Sequence, residues 1–297
     1  MKPPWLKKKI SFGSTYFNVQ TILKKSKLNT VCMESLCPNR GDCYSQGTAT
    51  FLILGDRCTR TCRFCSISHG PPKPIDPLEP LRVAETTGCL NLNYVVITSV
   101  TRDDLPDGGA KHFAETIREI KAKSPQACVE VLIPDFQGSY EALRVVVEAK
   151  PNVLGHNIET VPRLYSTIRP GADYFGSLKL LKHIRELDDN VFTKSGIMLG
   201  LGETPDEITK VLADLFAVEC SILTIGQYLQ PHENSFPVQR YIAPEEFIQW
   251  QNIAHDMGLS EVVAGPFVRS SYNAEDIYES IKRKKTMLSG LINSCLI

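Results

Sequence analysis

The chain has no apolar run near the ~18 residues that a membrane span requires, so no membrane partner is expected. Its first residues, Met1-Lys2-Pro3-Pro4-Trp5-Leu6, contain no apolar stretch of the kind a secretion signal uses, which argues against export. Net charge is missing too. The 33 lysines and arginines balance 33 aspartates and glutamates, so the chain as a whole is not tuned for nucleic acid. Acidic residues are absent from the first 31 positions, where seven lysines stand (Lys2, Lys7, Lys8, Lys9, Lys24, Lys25 and Lys27). Such an arm is either solvated or a docking surface for an acidic partner protein. Its Lys-Pro start is unlike the Arg- and Ser-rich opening of a transit peptide. The expectation is a cytoplasmic monomer, in a reducing compartment where ten cysteines stay available as thiolates.

Six of those cysteines fall in two tight triplets, Cys32-x4-Cys37-x5-Cys43 and Cys58-x3-Cys62-x2-Cys65. Three thiolates so close can hold three irons of a four-iron, four-sulfur cluster and leave the fourth iron in need of another ligand. Structural zinc wants four ligands in a closed tetrahedron, which neither triplet supplies, although His69 could complete the second. Disulfides suit short secreted chains rather than this one. Cys89, Cys128, Cys220 and Cys295 are scattered without ligand spacing, and Cys128 and Cys220 read as small core residues. His112, His183 and His255 fall in helical stretches and read as surface or packing residues, whereas His156 and His232 sit near strand ends that could line a site.

Beyond the cysteines, β-rich apolar runs recur at Thr50–Leu54, Tyr94–Ser99, Cys128–Ile133, Val153–Ile158, Val191–Leu199 and Ile222–Leu229. Amphipathic stretches lie between several of them, at Ala110–Lys123, Ser139–Ala149, Ser177–Leu187 and Asp206–Val218, and Pro205 suits the first turn of the last. Strand and helix alternate, so the predicted class is α/β: a partial (β/α)6 TIM-type barrel with N-terminal and C-terminal extensions. The expected bounds are 1–49, 50–240 and 241–297, the last holding a helix over Tyr272–Leu291 with the basic run Lys282-Arg283-Lys284-Lys285 on a solvated face. In βα barrels chemistry sits at the C-terminal ends of the strands, and the second triplet begins four residues after the first predicted strand, at the barrel mouth.

Cys58-Thr59-Arg60-Thr61-Cys62-Arg63-Phe64-Cys65 resembles the signature of the radical S-adenosylmethionine (SAM) superfamily, in which the open iron takes the amino and carboxylate groups of SAM. Cys32-Met33-Glu34-Ser35-Leu36-Cys37-Pro38-Asn39-Arg40-Gly41-Asp42-Cys43 resembles the auxiliary-cluster motif of the lipoyl synthase family. Similar to that family as well are Thr98–Gly109, His156–Val161, Arg169–Tyr174 and Gly265–Tyr272, so the resemblance runs from about Pro4 to Tyr272. It implies two four-iron, four-sulfur clusters, one on Cys58, Cys62 and Cys65 and one on Cys32, Cys37 and Cys43. A serine of Arg269-Ser270-Ser271-Tyr272 closes the second, assigned to Ser271 with Ser270 the alternative. The implied activity inserts sulfur at C6 and C8 of an octanoyl chain on a carrier lysine, consuming two SAM molecules and the auxiliary cluster as sulfur donor.

The resemblance also points to SAM contacts. Asn157 and Glu159 are candidates for the ribose and methionyl groups, with Lys194 and Arg169 for the carboxylate. Gly196-Ile197-Met198-Leu199-Gly200-Leu201-Gly202-Glu203 is similar to a superfamily stretch that packs near adenine. Asp107-Gly108-Gly109-Ala110 lacks the glutamate that often receives the SAM amino group, so no such role is carried over. The implied partners are an octanoylated lipoyl carrier domain, a small electron donor of ferredoxin or flavodoxin type, and an iron–sulfur carrier that restores the spent cluster.

Overall fold

A computed structural model describes residues 2–8 and 13–294 of the chain; Met1, Lys9 and Cys295 lie outside the described residues. Seven parallel strands form one open, curved sheet: β1 (Thr50–Ile53), β2 (Tyr94–Ser99), β3 (Cys128–Leu132), β4 (Val153–Gly155), β5 (Phe192–Leu199), β6 (Ile222–Gln227) and β7 (Glu261–Gly265). They stand side by side in chain order, and the short strand Asn29–Thr30 pairs antiparallel with the outer edge of β1. Chain-order neighbours joined by helices give the parallel partial barrel expected of alternating β and α segments. The sheet does not end near residue 240, because β7 continues it beside β6 within the stretch expected to be an extension. The sequence signal for β7 is weak: Glu261-Val262-Val263-Ala264-Gly265 has only two β-branched residues and closes on glycine.

Helices cover the outer face: α1 (Ser14–Lys25), α2 (Glu79–Cys89), α3 (Ala110–Lys123), α4 (Tyr140–Glu148), α5 (Tyr174–Leu187), α6 (Pro205–Ala217), α7 (Pro244–Asp256) and α8 (Ala274–Ser294). The start of α6 illustrates local encoding. Thr204 accepts the Glu207 N–H, the Glu207 carboxylate accepts the Thr204 N–H, and Pro205 occupies the first turn. Its stripe of Ile208, Val211, Leu212 and Leu215 is buried against the sheet. Each such side chain contributes about 2 kcal/mol of apolar burial before entropy is subtracted.

A second apolar cluster closes the lower end of the barrel. There Ala274, Ile277, Tyr278 and Ile281 of α8 pack on Tyr94, Val153 and Ile222 at the strand beginnings. The basic run on α8 is only partly solvated: Lys284 pairs with Glu261, while Lys282 and Lys285 lie over the rings of Tyr278 and Phe192. Cys220 is buried as expected of a core residue. His112 is not at the surface. It is buried in α3, where Nε2 meets the Glu79 carboxylate at 2.8 Å, and that carboxylate also accepts the Leu54 N–H at the end of β1.

Candidate functional site

The C-terminal ends of the strands open into one cavity of about 520 Å³. Cys58, Cys62 and Cys65 reach it from the loop after β1. That loop is stiffened by a short parallel pairing of Arg57–Cys58 with Ser68–His69. The backbone N–H groups of Arg60 and Thr101 point at Cys58 Sγ from 3.4 and 3.3 Å. Arg60, between the cysteines, forks onto Asp103 and Asp135 with four N–H···O contacts of 2.6–2.9 Å. This clamp ties the cysteine loop to the loops after β2 and β3. His69 leans on the Ile67 carbonyl through Nδ1 at 3.2 Å and is exposed.

The first triplet reaches the same cavity. Cys37 lines the cavity; Cys32 and Cys43 stand near it, close enough that Cys37 raises the cost of ionising both. Burial is the larger cause, pushing Cys32 up to about 12 and Cys43 to about 11. Burial likewise pushes Cys62 to about 11 and Cys65 to about 12, with Cys58 a neighbouring charge to both. Cys32, Cys43, Cys62 and Cys65 are therefore protonated at neutral pH in the metal-free protein, and a metal that binds them must displace protons. Among the described residues no three Cys, His, Asp or Glu side chains close in on one ion. A four-iron cluster asks for something different, since each thiolate holds its own iron. Two groups of three thiols, one buried and five half-buried, thus fit a pair of such clusters.

Val268, Arg269, Ser270 and Ser271 all line the cavity. They approach β5 and β6 where both strands carry glycine. A Cβ on Gly226 would stand 2.3 Å from the Val268 carbonyl oxygen. One on Gly196 would stand 2.7 Å from Thr224 Oγ1, 3.1 Å from Asn157 Oδ1 and 3.2 Å from Ser270 Oγ. The side-chain amide of Asn157 faces the Ser270 hydroxyl with both ends: Nδ2 donates at 2.8 Å and Oδ1 accepts at 3.1 Å. Lys8, from the basic arm, staples this assembly. Its ammonium meets Asp42 at 2.5 Å and Asn39 Oδ1 at 2.7 Å, and lies over the rings of Phe267 and Tyr272. Asn39 in turn donates to the Phe267 carbonyl at 2.7 Å.

Asn157, Glu159 and Arg169 gather on one wall. Glu159 sits in left-handed backbone (φ 68°), a conformation costing about 1–3 kcal/mol that recurs at functional sites. It is held there because its N–H donates to the Gly196 carbonyl and its carbonyl accepts the Met198 N–H. Burial pushes its carboxyl up, opposed by Arg169, Asn157 and Arg269. Arg169 donates to the Asn157 carbonyl at 2.9 Å and Tyr165 Oη at 3.2 Å, and faces His156 Nε2. Burial, with Arg169 beside it, lowers His156 to about 4, so the ring is neutral: Nδ1 donates to the Ile133 carbonyl and Nε2 accepts.

Two sequence expectations meet a different geometry. Lys194 does not face the cavity and is not solvated. Its ammonium is buried inside the barrel, held by Glu130 at 2.7 and 2.9 Å, and that carboxylate, at the edge of the cavity, also accepts the Tyr94 hydroxyl at 2.6 Å. A cation whose charge is already balanced by a buried carboxylate has little to offer a ligand carboxylate. Glu203 turns back onto its own loop, accepting the Gly200 and Leu201 N–H groups at 2.6 and 2.9 Å, while Gly196, Ile197 and Met198 do line the cavity. Sequence reasoning missed the Arg60 clamp, the Lys8 staple and the two glycine seats. The hints were slight: Arg60 and Asp103 lie inside otherwise informative motifs, while Asp135 lies in none.

The Radical SAM superfamily profile matches residues 52–215. The chain is 54% identical over 274 residues to the lipoyl synthase of Caldanaerobacter subterraneus subsp. tengcongensis, covering 92% of this chain and 96% of that one. It is 50% identical over 285 residues to the lipoyl synthase of Alkaliphilus metalliredigens, covering 96% and 98%. Among solved structures it resembles methylornithine synthase (TM-score 0.51, 15% identity, 88% and 86% of the two chains). It also resembles the hydrogenase maturase HydG (TM-score 0.58, 13% identity, 90% and 67%). At those identities the structural likenesses speak for the fold alone. The high identity across nearly the full length of both curated relatives, together with the superfamily match, shows that the chain belongs to the lipoyl synthase family of radical SAM enzymes.

Proposed function

We propose that the cavity inserts sulfur at C6 and C8 of an octanoyl chain carried on a lysine of a carrier domain. The observation that carries this reading is that one cavity is lined by Cys58, Cys62 and Cys65, by Cys37 of the other triplet, and by Ser271. Cys58, Cys62 and Cys65 are assigned to the cluster that binds SAM, and Cys32, Cys37, Cys43 and Ser271 to the auxiliary cluster. Among the described residues the Ser271 hydroxyl makes no hydrogen bond, whereas that of Ser270 is taken by Asn157, which favours Ser271 as ligand.

The carbons to be sulfurated bear no acidic proton, so acid–base residues alone have nothing to act on. Reductive cleavage of bound SAM supplies the hydrogen-abstracting species, one SAM per C–H bond. The chain's own residues position and shield. Arg60 fixes the cysteine loop between Asp103 and Asp135. Asn157 and Glu159 present polar atoms for the ribose and methionyl groups, and Arg169, oriented by Tyr165 and neutral His156, offers its guanidinium to the carboxylate. Leu52, Val96, Ile197, Met198 and Leu229 give the cavity apolar walls that suit an octanoyl chain and keep water from a reactive carbon. A small redox protein and an iron–sulfur carrier complete the proposed set of partners.

Anaerobic cluster reconstitution, followed by SAM, a reductant and an octanoyl-lysine peptide, tests this. Mass spectrometry is expected to show dithiolated peptide and 5′-deoxyadenosine, with one cluster lost per product. SAM cleavage without sulfur transfer, or an auxiliary cluster that survives turnover intact, would sink the reading in favour of a two-cluster radical SAM enzyme with an electron-relay cluster.

A further inference from the structure

We propose that Ser270 is a positioning residue that couples the two ends of the cavity: its hydroxyl transmits to Asn157 whether the neighbouring Ser271 is fastened to the auxiliary cluster. This rests on the reading that Ser271 closes the Cys32/Cys37/Cys43 site and that Asn157 and Glu159 contact SAM.

Ser270 and Asn157 are 113 residues apart in the chain, and their side chains meet at 2.8 and 3.1 Å. From Asn157 the link continues without a gap, because Nδ2 also donates to Glu159 Oε1 at 3.0 Å and the backbone carbonyl accepts Arg169 Nη1 at 2.9 Å. One serine therefore touches the residue on which the other two SAM-facing side chains converge. The seat is built for this contact. The bare backbones of Gly196 and Gly226 leave room for Ser270 Oγ and the Val268 carbonyl, and a methyl at either position would displace them. Two adjacent serines then divide the work. Among the described residues Ser271 has no hydrogen-bond partner and lines the cavity, whereas Ser270 is engaged with the wall.

A ligand bond at Ser271 would fix the backbone on either side of it, which removes the freedom Ser270 otherwise has to leave Asn157. An Asn157 amide held in one orientation has less ordering left to do when SAM binds. Binding at one end thus lowers the cost at the other, which is positive coupling by shared ordering. The functional sense is direct. With the auxiliary site empty, Ser271 would be unfastened, the Ser270–Asn157 contact would loosen and SAM would be held less tightly. An enzyme without a sulfur source is then slower to consume SAM.

The test is anaerobic equilibrium dialysis of SAM, with iron measured per chain, on the reconstituted wild type and on Cys37→Ala, Ser270→Ala and the double variant. Cys37→Ala is expected to lose the auxiliary iron and bind SAM about fivefold or more weakly. Ser270→Ala is expected to keep wild-type iron and show a similar loss. The double variant is expected to be no weaker than Ser270→Ala alone, because the link is already cut. SAM affinity unchanged in Cys37→Ala, or losses that multiply in the double variant, would overturn the coupling while leaving the cluster assignment standing. Wild-type iron content in Cys37→Ala would overturn that assignment, and the coupling with it.

Discussion

Arg60→Ala removes the clamp that holds the cysteine loop, and its cost can be worked from the geometry. The guanidinium is 10% exposed and makes four charge-assisted contacts of 2.6–2.9 Å to Asp103 and Asp135, which are 31% and 13% exposed. Breaking a buried ion pair from one side costs about 3–5 kcal/mol, because the partner charges are left desolvated. Asp103 regains water on truncation, so the lower end applies, about 3 kcal/mol. Arg60→Lys keeps the charge but loses the planar fork and should recover only part of this. Urea unfolding of the metal-free protein, followed by tryptophan fluorescence, measures it. The Asp135→Asn partner makes the measurement specific: the double variant should be about 2 kcal/mol less damaged than the sum of the singles. Additivity to within about 0.5 kcal/mol would show that the two groups do not interact as described and refute the reasoning. Reconstituted Arg60→Ala should also lose iron from the Cys58/Cys62/Cys65 site first.

Three further outcomes are expected. Lys194→Met should destabilise the protein by about 3–5 kcal/mol by stranding Glu130, yet leave SAM affinity within about twofold of wild type; a tenfold loss of SAM binding in a stably folded variant would return Lys194 to the site. His156 is lowered by burial from 6.5 to about 4, so the unfolded chain binds the extra proton between these values, and stability present above pH 6.5 is lost as pH falls toward 4. That loss is about 3 kcal/mol, and urea midpoints of metal-free His156→Gln across this window should fall less steeply than wild type; parallel pH profiles would contradict the assignment. Gly226→Ala, whose methyl would meet the Val268 carbonyl at 2.3 Å, should lower reconstituted iron from about eight to about four per chain, read by iron analysis; full iron content would show that the seat tolerates the methyl.

Much of this protein was written locally. The cysteine spacings needed no fold to suggest clusters, because ligands on one loop are neighbours in sequence before they are neighbours in space. Alternating apolar runs set the parallel βα order, and the Thr204–Glu207 cap and the stripe on α6 are contacts within one helix turn or two. The segment Gly265–Tyr272 was legible only through family resemblance, since nothing within it says what it approaches.

Tertiary structure decided the rest. It turned Lys194 away from the cavity because a carboxylate 64 residues distant, Glu130, shares the barrel interior with it. It made Lys8 a staple rather than one more lysine of a solvated arm, by bringing Asp42, Phe267 and Tyr272 around a single ammonium. It separated Ser270 from Ser271, identical in sequence terms, by placing Asn157 against only one of them. The sequence by itself determined the local elements: the ligand triplets, the helix caps and the strand order, all governed by spacing and periodicity. The folded sheet and its loops set which distant side chains share a buried, low-dielectric space, and there pairing and desolvation decide the role of each charge and hydroxyl.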